Sequence, residues 1–188
     1  MSDLDPKLQE WGAKLTTFHL PRWGELPELD LYMDQVLTLV TVYLSPVIPP
    51  EKHNLLTKSM VNNYVKLGMI PAPKKKRYDR THVAFLVAIT ILKQVLTIPE
   101  IKEGILFQAQ VDGIQKAYDL FCLETELAIK RTGDLAQGKR PETDTAASSF
   151  AYLAVRAATG SFANKLLAEK AIECEIAYLQ KKENQHDE

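Results

Sequence analysis

Positive charge is the chemical feature this sequence concentrates most. Between residues 52 and 80 lie Lys52, Lys58, Lys66, Lys74, Lys75, Lys76, Arg77 and Arg80, against the single acid Asp79, while the whole chain has a net charge of -1. A polyanion responds to the local field rather than to the total charge, so this stretch can meet phosphates in a protein that is nearly neutral overall. Between the cations stand Ser59, Asn62 and Asn63. A carboxamide presents both a donor and an acceptor, and in the DNA major groove that pair matches the edge of adenine. Tyr78, just after the Lys74, Lys75, Lys76, Arg77 run, offers a hydroxyl for phosphate or a ring for packing.

Other chemistries find little support. His19, His53, His82 and His186 are scattered without metal-ligand spacing, and no nucleophile, glycine-rich phosphate loop or paired carboxylate has a convincing context. The expectation is a non-enzymatic protein with no catalytic residue, no metal and no cofactor. Cys122 and Cys174 are too few and too far apart for a disulfide framework or a zinc motif, and should be buried thiols. The first residues, Met1 to Pro6, lack the basic and apolar regions of a secretory signal, and no apolar run approaches the roughly 18 residues of a membrane span. A cytoplasmic protein with no membrane partner is expected.

The elements that must carry the basic residues read as helical almost throughout, and a composition of 46% hydrophobic and 25% charged residues is enough for a buried core. Residues 1–30, with Trp11, Trp23, Pro21 and Pro27, suggest an irregular arm anchored by its indoles. Leu31, Val36, Leu37, Val40 and Leu44 mark a helix that ends at Ser45-Pro46, followed by a loop over 45–56. Thr57 can cap a helix running to Leu67, with Gly68 as its stop. Met60, Val61, Tyr64 and Leu67 share one face of it; Lys58, Ser59, Asn62, Asn63 and Lys66 share the other.

Pro71 and Pro73 then exclude a helix, so 71–78 should be a loop or short hairpin. Asp79 opens an apolar helix through Val83, Leu86, Ile89, Ile91, Leu92 and Leu96. Thr97-Ile98-Pro99-Glu100 has the pattern of a capped helix start. Farther on, Phe107, Val111, Ile114, Tyr118 and Phe121 make a helical seam. A polar loop is expected over 132–144, and a last helix over about 145–180, bent near Thr159-Gly160. The domain division is 1–30, 31–106 and 107–188.

The run Met60 to Pro71 resembles the recognition helix of MerR regulators, a winged helix-turn-helix family. In that family the helix is followed by a basic wing, by a helix opening like Tyr78-x-x-x-His82-Val83, and by an element like Thr97-Ile98-Pro99-Glu100-Ile101. The likeness covers about residues 57–101. It departs at Asn62 and Asn63, where the family has an arginine and a tyrosine, at Val65 and His82, and in a shorter wing. Leu20-Pro21-Arg22-Trp23 and Asp30 to Val36 also resemble a bacterial family of unassigned function.

The resemblance implies an all-α fold with a MerR-like winged helix-turn-helix and a short wing hairpin, followed by a C-terminal helical pair. It implies a transcriptional regulator that binds double-stranded DNA. Lys58, Ser59, Asn62, Asn63 and Lys66 would then face the major groove, and Lys74, Lys75, Lys76, Arg77 and Tyr78 the phosphates. It implies a homodimer joined beyond the winged domain, whose alternative is an antiparallel helix pair completing a monomeric core. The residues name no small-molecule effector. The competing functional reading is a protein-protein adaptor that uses the same scaffold.

Overall fold

A computed structural model describes residues 5–50, 55–140 and 149–184. Its elements are α1 (Pro6–Leu15), a single 3₁₀ turn (Trp23–Glu25), α2 (Met33–Leu44), α3 (Lys58–Lys66), α4 (Arg80–Leu92), α5 (Ile98–Ala136) and α6 (Phe150–Asn184). The architecture is all-helical, and no β-strand forms among the described residues. Where a wing hairpin was expected there are two isolated antiparallel bridges, Lys74 with Arg77 and Leu31 with Tyr78. Pro71 and Pro73 lack the N–H groups that a ladder needs, so pairing stops at single bridges.

Helix α4 is the centre of the molecule. Apolar residues surround it on all sides, and buried positions run almost without a break from His82 to Leu92. A helix that is hydrophobic all round must be enclosed by others, and α2, α5 and α6 all pack on it. One continuous apolar cluster joins Leu15 and Leu20 through α2, α3 and α4 to Phe121 and Ile129 of α5 and Phe162 and Leu166 of α6. The three expected segments therefore share a core, and the expected boundary at 106/107 falls inside α5.

The N-terminal segment is not the irregular arm its prolines suggest. Asp5 caps α1 by accepting from the Lys7 N–H at 2.7 Å, and Pro6 fits the first turn, where its missing donor costs nothing. Gly12 of α1 meets Gly133 of α5 so closely that a Cβ on either would lie 2.6 Å from the other's carbonyl oxygen. Gly133 belongs to the last turns of α5, not to a loop starting at 132. The expected polar loop shrinks to residues beyond Ala136, of which 141–148 lie outside the described residues. The arm is locked farther along by Arg22, whose guanidinium donates to both oxygens of Glu126 at 2.8 and 2.6 Å. Glu126 also accepts from the Leu20 N–H at 2.7 Å. The expected role of the indoles survives, since Trp11 and Trp23 pack against the core; the Trp23 backbone N–H also donates to Asp119 Oδ1 at 2.7 Å.

Helix α5 bends at Gly113, whose φ of 77° is left-handed and interrupts the helical run. Glycine takes that conformation without a steric penalty. Helix α6 runs unbroken through Thr159-Gly160, where a bend was expected, and Gly160 does not share the positive φ of Gly113. Contacts along the C-terminal pair run in the same order on both helices: Gln108 with Ala151, Glu124 with Arg156, and Ala136 beside Cys174. The pair is thus parallel in sense, where a simple hairpin would make it antiparallel. Among the described residues, no helix is long and apolar enough to cross a membrane.

Candidate nucleic-acid interface

Helix α3 is short, and both its ends are closed by the chain itself. At the start the Thr57 hydroxyl accepts from the Met60 N–H at 3.2 Å. At the end Gly68 takes φ 65°, the Met69 N–H reaches the Tyr64 carbonyl at 2.9 Å, and the Gly68 N–H reaches the Val65 carbonyl at 3.0 Å. This pair of bonds is the Schellman closure, with Met69 and Tyr64 buried together beneath it. Nine residues would be marginal as a free helix, so packing must hold α3. Val61 and Tyr64 are its buried pair. Lys93, at the end of α4, adds a clamp by donating to the Leu55 carbonyl at 2.5 Å, with its ammonium 3.6 Å from the Met60 sulfur. Burial holds the Lys93 amine below the usual lysine range.

With Val61 and Tyr64 turned inward, Lys58, Ser59, Asn62, Asn63 and Lys66 are exposed together, as the helical spacing predicts. Ser59, Met60, Asn62, Asn63 and Lys66 line a shallow depression on this face. No acid belongs to the helix. Leu67 departs from expectation: it is 42% exposed, because the helix closes before that position turns inward. Lys58 is partly neutralised from outside, since Asp34 at the start of α2 pairs with it at 2.7 Å. That pair is open to solvent and therefore weak, so the lysine can exchange it for another anion.

Beyond α3, Met69 and Ile70 are buried and fix the approach to the basic turn. Lys74 and Arg77 flank it, bridged by the Arg77 N–H to the Lys74 carbonyl at 2.9 Å, and the two central residues, Lys75 and Lys76, have φ of 50° and 60°. Positive φ at both central positions is the requirement of a type I′ turn, which asparagine and glycine satisfy best. Two successive lysines there are strained, and they present their ammonium groups at the apex of the turn. Lys66, Lys74, Lys75 and Lys76 form no ion pair among the described residues.

Arg77 and Tyr78 are placed differently from the lysines. The Arg77 guanidinium lies over the Tyr32 ring, 3.7 Å from its centroid, and also reaches the Asp30 carbonyl at 3.4 Å. It ties the turn to the start of α2. Tyr78, a proposed phosphate contact from its sequence position, is only 4% exposed; it packs edge-on against His82 and exchanges backbone bonds with Leu31 at 2.8 and 2.9 Å. It is a core residue, because the bridge to Leu31 turns its side chain inward.

His82 explains how the base of the turn is held. Its Nε2 lies 3.2 Å from the Pro71 carbonyl and its Nδ1 2.7 Å from Asp79 Oδ1, while Asp79 caps α4 through the His82 N–H. Burial raises the Asp79 carboxyl, but bonds from the His82 side chain and backbone outweigh it and hold the acid below its ordinary value. The imidazole therefore staples the entry of the loop to its exit. Arg80 turns away toward Glu28 at 3.3 Å and toward the Trp23 ring. Lys52 and His53, at the other edge of the basic stretch, lie outside the described residues, as does His186.

Elsewhere no group of three or more His, Cys, Asp or Glu side chains arranged to hold a metal occurs among the described residues. Both cysteines are buried free thiols, and burial pushes the Cys122 thiol up to about 12. Such a thiol is not the thiolate that reacts or ligates.

Comparison with known proteins gives one family. A family model described as a domain of unknown function (DUF1836) matches residues 21–121, more than half of the chain. No curated protein matches, and no solved structure matches. The matched span takes in α2, α3, the basic turn and α4, and ends within α5 soon after its bend.

Proposed function

This chain belongs to the DUF1836 family, and from that premise we propose that it is a DNA-binding transcriptional regulator with a reduced, MerR-like winged helix-turn-helix. Helix α3 enters the major groove and the turn Lys74 to Arg77 serves as the wing. The observation that carries this reading is the outer face of α3: small polar side chains and lysines, no acid of its own, followed closely by three lysines at a strained turn that form no ion pair among the described residues. Asn62 and Asn63 are exposed carboxamides of the kind that can read base edges, and the lysines would lie along phosphates and set the docking register. The linker from α2 to α3 spans residues 45–57, longer than the three or four residues of a simple helix-turn-helix. The turn and α3 are nonetheless fixed to the same core.

A dimer completes the reading. On the C-terminal half of α6, Ile172, Ile176 and Leu179 are 53, 51 and 58% exposed at spacings of four and three residues. That is the seam of a two-helix contact, and a two-fold protein suits paired half-sites.

The test is duplex binding across a salt series. The variant Lys74→Ala/Lys75→Ala/Lys76→Ala removes the phosphate charges while leaving Arg77 on Tyr32. It should weaken binding and reduce the slope of log affinity against log salt by about 3. Asn62→Ala and Asn63→Ala should instead relax preference at single base pairs, by about 1 to 3 kcal/mol each. Unchanged affinity in the triple-lysine variant would defeat the proposal. Binding of a protein partner through the same face, with no duplex binding at low salt, would favour the adaptor.

A further inference from the structure

We propose that the cavity between the end of α4, the bent part of α5 and the start of α6 is a binding site for an uncharged, largely apolar small molecule that carries an N–H or O–H donor. Its volume is about 700 Å³, which falls in the range of sites that enclose small ligands. Protein interiors otherwise pack as densely as organic crystals, so a space of this size at the edge of a core needs an occupant or a cause. The local cause is a set of small side chains, Ala84 and Ala88 of α4 and Ala154 and Ala158 of α6, beside a helix that Gly113 bends and that contributes Ala117 to the wall. Larger apolar residues, among them Leu92, Leu96, Ile101 and Phe121, form the rest of the wall.

The polar groups define the chemistry of the occupant. Gln108 lines the cavity and is 8% exposed; its amide nitrogen donates to the Ala151 carbonyl, while its Oε1 is buried with no hydrogen-bond partner among the described residues. A buried amide oxygen in that state wants a donor. The Tyr118 hydroxyl, also on the wall, has the Cys122 thiol beside it and no oxygen or nitrogen partner among the described residues. Among the described residues no lysine or arginine lines the cavity, whereas Glu100 and Glu103 do, so an anionic ligand would meet repulsion. Glu100 is already engaged by the Thr97 N–H at 2.8 Å and hydroxyl at 2.7 Å. The best fit is a neutral, mostly hydrocarbon molecule with one donor. The site stands whether or not the basic face binds DNA.

N-Phenyl-1-naphthylamine has this composition, and its fluorescence rises on leaving water; its N-methyl analogue lacks the donor. Titrated into the full chain, the first should bind saturably at one per chain. Ala154→Phe, a substitution at an exposed position on the cavity wall, should weaken both probes at least about tenfold, and Gln108→Leu should weaken the N–H probe by about tenfold while sparing the N-methyl one. Non-saturating binding, equal affinity in Ala154→Phe, or no difference between the probes in Gln108→Leu would each overturn the assignment. So would probe binding that falls as protein concentration rises, because the cavity would then be filled by a second copy of the chain.

Discussion

At the scale of single residues, the notable departure from local preference is the pair Lys75 and Lys76. Positive φ is uncommon for side-chain-bearing residues, and each such residue costs of order 1 kcal/mol or more, so two in succession leave the turn less stable than other residue types would make it. Lys75→Asn/Lys76→Gly supplies the residue types that a type I′ turn favours. Thermal unfolding should show that variant more stable by about 1 kcal/mol. Its duplex affinity should fall, with a salt slope lower by about 2. Loss of stability would mean that the lysines make contacts that offset the strain. His82 and Tyr78 show the limit of reading residues one at a time. Tyr78 stands in the basic stretch and His82 just after it, yet both are buried, His82 as a staple between Pro71 and Asp79 and Tyr78 as a bridge partner of Leu31.

At the scale of elements, two contacts fasten α1 and the segment after it to α5. The first is the crossing at Gly12 and Gly133. Alanine is the better helix former by about 1 kcal/mol, but here a Cβ would strike backbone at 2.6 Å and the helices would have to part. Gly133→Ala should therefore lower stability by about 1 to 3 kcal/mol in denaturant unfolding. A stabilised variant would show that the close approach is absent in solution.

The second fastening is Arg22 with Glu126. Burial raises the Glu126 carboxyl, but the Arg22 guanidinium and the Leu20 N–H outweigh it and leave the acid below its ordinary 4.5. A carboxylate with a depressed folded value contributes stability that is fully present above the unfolded value and is lost as pH falls through the folded one. Glu126→Gln should cost about 1 to 3 kcal/mol at neutral pH, and the gap between variant and parent should close as pH drops below about 4.5. A gap independent of pH would assign the effect to packing.

At the scale of the molecule, the basic face and the C-terminal helices are parts of one body through the shared core. Sedimentation equilibrium should find a dimer, and Ile172→Glu/Ile176→Glu should make it a monomer that keeps its fold, because both side chains are already exposed. On a palindromic duplex that variant should lose the affinity gained from engaging two half-sites. A parent protein that sediments as a monomer would remove the seam on α6 from the proposal.

Local chemistry alone determined much of this protein. The 3.6-residue spacing and the caps at Thr57, Gly68 and Asp79 determined where α3 begins and ends and where α4 begins, though α4 stops at Leu92, short of the expected Leu96; with Val61 and Tyr64 inward the exposure of Lys58, Ser59, Asn62, Asn63 and Lys66 followed. Those signals act within one helical turn, so a linear reading captures them. The Asp5-Pro6 start of α1 was equally local, but the later prolines of the segment obscured it. Only the tertiary structure decided the inward turn of Tyr78, the engagement of Arg77 by Tyr32 and of Lys58 by Asp34, the meeting of Gly12 with Gly133, and the cavity behind Gln108. Each joins residues far apart in the chain. Which partners meet there depends on how whole helices pack, and no local spacing encodes that.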